Sequence, residues 1–128
     1  SLGTTPPQFD TIIFNQPYYP REEPAQFGLG REGGRPLIRR FFAEIEPFVH
    51  SRTEILMPFS NGVAAEHNPA SVANACGYCV VPMHVRRDQA GETHVVYLFT
   101  RQPFHPGCFA PYTIDERLTT TEILERTV

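Results

Sequence analysis

The segment Phe9 to Pro20, FDTIIFNQPYYP, is an apolar run that ends abruptly in polar and aromatic groups. Thr11 to Phe14 reads as a short strand, and Asn15, Gln16, Pro17 and Tyr18 follow it at once, with Tyr19 behind them. Pro17 alone is enough to turn the chain. The neighbouring amide and phenol are not needed for a turn, and ligands of open α/β sheets bind just beyond the carboxyl ends of strands. Asn15 to Tyr19 are therefore candidates for ligand contact. Ser60-Asn61-Gly62 closes a second strand-like run on the same sheet edge. Ser60 and Asn61 either line the same site or form a simple turn.

Three other patterns carry less chemistry. Gly28-Leu29-Gly30-Arg31-Glu32-Gly33 matches the spacing of a dinucleotide-binding turn, but EEPAQF precedes it where that turn needs a strand. A substrate-side lid is the better functional reading of this stretch. Cys76-Gly77-Tyr78-Cys79 lacks the second ligand pair of a structural zinc site, since Cys108 with His105 makes a poor complement. Cys76 also ends a helix, whereas a redox pair places its first cysteine at a helix start, so packing at a helix-to-strand junction is expected. His50, His67, His84, His94 and His105 show no metal spacing. His84 and His94 are read as structural partners across a hairpin.

The elements that must position these residues follow from periodicity and punctuation. Residues 19 to 34 hold prolines and glycines without an apolar period and read as a long loop. From Arg35, with Pro36 suited to the first helical position, Leu37, Ile38, Phe41, Phe42 and Ile45 form one stripe of a helix ending near Pro47. EILMPFS, Glu54 to Ser60, reads as a second buried strand, and Thr11 to Phe14 as a strand covered on both faces. Asn68-Pro69 opens a short helix that Gly77 stops. Cys79 to Arg87 and Thr93 to Arg101 form a hairpin across DQAGE, and Ile114 to Val128 is a polar tail with room for one weak helical turn. A helix between successive strands implies parallel pairing, and the hairpin adds an antiparallel member. The fold class is α/β.

At 128 residues and 41% hydrophobic content the chain supports a single domain with a real core. It holds no apolar run long enough to cross a membrane and no secretory leader pattern, so a soluble, cytoplasmic protein is expected. Three cysteines in that setting are expected to be reduced thiols. A net charge of -3, with Arg39-Arg40 and Arg86-Arg87 in separate segments, argues against nucleic acid as a partner.

This order of elements resembles the C-terminal half of a class I S-adenosylmethionine-dependent methyltransferase, with its fourth strand, helix, fifth strand, helix and hairpin of strands six and seven. FDTIIFNQPYY is similar to the signature in which a strand ends in Asn-Pro-Pro-Tyr, as in the release-factor glutamine methyltransferases and the N6-adenine methyltransferases. GREGGRPLIRRFFAEIEPFV resembles the segment that follows in the glutamine-methyltransferase branch. The resemblance covers residues 8 to 102. Gln16 stands where the family has its first proline.

The resemblance implies a Rossmann-like half-sheet in residues 1–102, followed by an irregular tail, 103–128. It implies that the Asn15 side-chain oxygen and the Gln16 carbonyl accept hydrogen bonds from a substrate nitrogen and aim it at the methyl carbon, as catalytic groups. Pro17, Tyr18, Tyr19, Ser60 and Asn61 would contact the substrate, with Tyr18 stacked on its planar group. The cofactor is S-adenosylmethionine, but the family's acidic and glycine-rich turn for it has no counterpart in this sequence. Strands one to three are accordingly expected from a second chain or an N-terminal half, or else the open edge self-associates. The substrate would be a protein or a small molecule. Two rival readings are a non-catalytic binding or scaffolding module that kept the half-fold, and a piece of a nucleic-acid N6-adenine methyltransferase.

Overall fold

The computed structural model describes residues 5–15, 34–60, 68–102 and 108–127. In chain order these form β1 (Phe9–Ile13), α1 (Gly34–Glu44), a 3-10 turn (Glu46–Phe48), β2 (Val49–Ser60), α2 (Pro69–Ala75), β3 (Cys79–Arg87), β4 (Thr93–Thr100) and α3 (Thr120–Thr127). The fold is α/β, with one mixed sheet of four strands in the order β1-β2-β4-β3. β1 and β2 run parallel, with α1 in the crossover, while β4 is antiparallel to both β2 and β3.

The core lies on one sheet face. Register pairs Ile55 with Phe99, Met57 with Tyr97 and Phe59 with Val95, and all six are buried. Because antiparallel partners point to the same side, these residues form one apolar surface. α1 covers it with Ile38, Phe42 and Ile45, spaced for a single helical stripe, while Arg39, Arg40, Ala43 and Glu44 face solvent. Phe42 meets Phe99 edge-on at 5.6 Å and Tyr78 at 5.5 Å. The proline at position 47 excludes Glu46 from regular helix, so α1 gives way to the 3-10 turn there. α2 is short and almost wholly buried. Its start is set by Asn68, whose side chain accepts from the Ala70 N–H at 2.9 Å, and its end by Gly77 at φ +93°.

Several expectations need correction. β1 was expected to be covered on both faces, yet Ile13 is 72% exposed and Phe9 47%. β1 is the terminal strand of the sheet, so among the described residues only β2 flanks it. β2 begins at Val49 rather than Glu54, because Thr53 ties its polar first half down. The Thr53 hydroxyl donates to the Phe9 carbonyl at 2.6 Å and accepts from the His50 N–H at 2.9 Å. Among the described residues there are three α-helices rather than two. The tail beyond residue 102 contributes α3, with Ile123 fully buried, and Phe109, which bridges Val80 beside β3.

Tyr97 links α3 to the sheet through Asn68, whose side-chain amide donates to the Tyr97 hydroxyl at 3.2 Å and to Thr120 Oγ1 at 2.9 Å. Burial pushes the Tyr97 phenol up to about 12. A raised folded-state value means this contribution to stability is complete below the unfolded phenol range, near pH 10, and is lost as pH rises toward 12. Two units correspond to about 2–3 kcal/mol. Denaturant unfolding of the wild type and Tyr97→Phe across that window should show the stability gap between them shifting by about this amount. A constant gap would refute the assignment.

Candidate functional site

Of the sequence-predicted site residues, Asn15 and Ser60 fall among the described residues, and both lie at the carboxyl edge of the parallel pair. Phe14 extends the β1–β2 ladder by one bond, its N–H donating to the Leu56 carbonyl at 3.0 Å. Asn15 comes next and is exposed. The Phe14 ring stacks on Phe41 of α1 at 4.4 Å between centroids, so the residue before Asn15 is anchored to the crossover helix. Ser60 ends β2 at the same edge, since parallel strands share the direction of their ends. Ile13 pairs with Leu56, which sets Ser60 about two residues, roughly 7 Å, further along than Asn15. Gln16, Pro17, Tyr18, Tyr19 and Asn61 lie outside the described residues, as do the lid-like stretch Gly28 to Gly33 and His105.

β4 runs the other way, so the β3–β4 hairpin brings its turn to this same edge. His94 sits opposite Ser60 on one side and Arg86 on the other. The turn closes with the Gly91 N–H donating to the Asp88 carbonyl at 3.1 Å and Gly91 in the left-handed region at φ +85°, the geometry of a three-residue hairpin loop. Asp88 Oδ1 accepts the N–H groups of Ala90 and Glu92 at 2.9 and 3.0 Å, and Asp88 Oδ2 meets His94 Nε2 at 2.9 Å. The His94 hydrogen bond, with the two backbone N–H groups, holds the Asp88 carboxyl below its usual range. The Ser60 hydroxyl donates to Glu92 Oε1, so the end of β2 and the hairpin are joined. Ser60 is itself 1% exposed. Its hydroxyl therefore acts on Glu92 in this structure rather than opening onto a ligand.

Asp88, Glu92 and His94 thus converge, each offering one ligand atom, with all three atoms within 4.8 Å of one another. His–His spacing along the chain gives no hint of this. The hairpin register sets Val96 rather than His94 opposite His84, and His94 opposite Arg86. The readable signal was the interval Asp88-x3-Glu92-x-His94 spanning a hairpin turn. Both histidines, with Arg86 and Pro58, line a shallow groove of about 250 Å³ beside this cluster. A cavity of about 300 Å³ between Arg39, Ser71, Cys76 and Glu116 lies at the other end of α2, away from the carboxyl edge.

Of the cysteines only Cys79 is buried as a packing group, while Cys76 is exposed and Cys108 half-buried. Cys79 is buried at the start of β3, and burial with the neighbouring Cys79 pushes the Cys108 thiol up to about 12. Burial likewise raises Cys76, so neither thiol is held as a reactive thiolate. No helix of the described residues is long and apolar enough to cross a membrane. No protein-family model matches the chain, and no curated protein or solved structure matches it.

Proposed function

We propose that this chain is the substrate-side portion of an S-adenosylmethionine-dependent N-methyltransferase, acting in the cytoplasm on an amide or amine nitrogen of a protein or small molecule. The observation that carries the reading is Asn15, exposed one residue beyond the last ladder bond of β1 and directly before Gln16-Pro17-Tyr18. A parallel pair with a helical crossover, followed by a helix and a hairpin that adds an antiparallel strand, agrees with the family's fourth to seventh strands. A planar nitrogen is a poor nucleophile because its lone pair is delocalised. In this reading the Asn15 side-chain oxygen and the Gln16 carbonyl accept from that nitrogen, favour its tetrahedral form and point its lone pair at the methyl group. S-adenosylmethionine supplies the methyl cation equivalent, and its main binding turn comes from strands one to three.

Equilibrium dialysis with labelled S-adenosylmethionine tests this. Residues 1–128 alone should retain none, while the chain in complex with the portion supplying strands one to three should retain one equivalent. Absence of binding by that complex favours a non-catalytic module, and tight one-to-one binding by residues 1–128 alone overturns the division of labour.

The same reading predicts association. Among the described residues β1 is paired on one side only and Ile13 is exposed beside that edge, and a strand edge of that kind recruits another strand. Sedimentation at about 10–50 µM, a range that captures weak contacts, should show a complex or self-association. Amides of Thr11 to Ile13 should exchange more slowly there than in dilute solution. A monomer with no such protection contradicts the proposal.

A further inference from the structure

We propose that Asp88, Glu92 and His94 form a binding site for a divalent transition-metal ion at the tip of the β3–β4 hairpin, independent of the methyl-transfer reading. The geometry is close to what an ion requires. Ligand atoms about 2.0–2.2 Å from one ion stand roughly 3–4 Å from each other. Here Asp88 Oδ2 and His94 Nε2 are 2.9 Å apart, and the three ligand atoms lie within 4.8 Å. An ion would take the place of the hydrogen between His94 Nε2 and Asp88 Oδ2, with the neutral imidazole nitrogen as ligand.

Both carboxylates are already oriented by groups outside the ligand set. Asp88 Oδ1 is held by the Ala90 and Glu92 N–H groups, which turns Oδ2 toward His94. Glu92 Oε1 is held by the Ser60 hydroxyl from the neighbouring strand. Orientation of first ligands by such outer hydrogen bonds is what metal sites use to fix geometry. His94 rises from β4 between two paired strands, so its backbone is fixed by the ladder on both sides.

Charge points the same way. Two carboxylates converge on one imidazole, which can offset at most one of them, whereas a divalent cation offsets both. Arg86, opposite His94, is exposed, so solvent screens its charge. Two oxygens and one imidazole nitrogen suit zinc, cobalt, nickel, manganese or ferrous iron, while the absence of a thiolate from the set disfavours Cu(I). Three protein ligands leave at least one position for water or a ligand atom.

The test uses the full chain, stripped with a chelator and titrated with ZnCl2 by calorimetry and with CoCl2 by absorption. One Zn2+ per chain should bind with Kd in the micromolar range or below, and Co2+ should give a spectrum of oxygen and nitrogen ligands without thiolate charge transfer. His94→Ala and Glu92→Gln should each weaken binding at least about tenfold, and Ser60→Ala roughly tenfold through Glu92. Glu92→Gln keeps the hairpin, because the turn bonds run through Asp88 and the backbone. No saturable binding, an affinity unchanged in both His94→Ala and Glu92→Gln, or a thiolate spectrum would each overturn the site.

Discussion

In the assembled enzyme, Asn15→Ala is expected to lower turnover by about a hundredfold or more, the loss typical of one preorganised polar contact to the reacting group. The loss should fall on kcat rather than KM. The amide is asked to hold the nitrogen in the form that attacks, an interaction stronger at the transition state than in the bound substrate. Folding should be nearly untouched. Asn15 is exposed, while the anchoring bonds belong to its neighbour Phe14, through the Leu56 carbonyl and the Phe41 ring. Matching unfolding midpoints for the two proteins would establish that the kinetic loss is local. Wild-type kcat in Asn15→Ala would remove the catalytic assignment and leave the segment as a turn.

What the sequence made legible is what local pattern decides. The stripe Ile38-Phe42-Ile45 gave α1 because helical period and burial coincide, and Asn68-Pro69 with Gly77 bounded α2 through capping chemistry. The hairpin came from its turn. By contrast, Val49 to Thr53 join β2 through contacts with Phe9, a residue 44 positions from Thr53, and no local propensity reports such a bond. α3 was under-read because its burial rests chiefly on Ile123 and a long-range bond from Asn68 to Thr120. The Asp88, Glu92 and His94 cluster was missed for a different reason, since it is local. Its three ligand types alternate across one turn, Asp88-x3-Glu92-x-His94, rather than repeating as a histidine or cysteine spacing. Asn15 stood out because a strand end and the residues after it are contiguous in the chain.

Long-range ties of this kind carry the largest expected stability effect, at Asn74. Its side chain, fully buried near the end of α2, donates from Nδ2 to the Tyr78 carbonyl at 3.1 Å and to the Ala110 carbonyl at 2.8 Å. Its Oδ1 accepts from the Ile114 N–H at 2.9 Å. One amide thus satisfies three backbone groups and joins α2, the approach to β3 and the C-terminal segment. Asn74→Ala leaves the Tyr78 carbonyl and the Ile114 N–H without the partners they have here, and each buried unsatisfied group costs about 1–3 kcal/mol. The Ala110 carbonyl keeps the Thr113 hydroxyl and N–H as donors, so its loss is small. A net loss of about 3–5 kcal/mol follows, a large fraction of the ~5–15 kcal/mol of a typical domain. Asn74→Asp should be no better. It keeps the acceptor for Ile114 but turns a carboxylate toward two carbonyl oxygens in a buried position. Urea unfolding at neutral pH measures both variants, and hydrogen exchange should show protection lost first at Ile114, whose N–H donates to this amide. A destabilisation of Asn74→Ala below about 1 kcal/mol would mean that water replaces the amide and that the C-terminal segment is held by its other ties, the Phe109–Val80 bridge, the Asn68–Thr120 bond and the packing of Ile114 and Ile123.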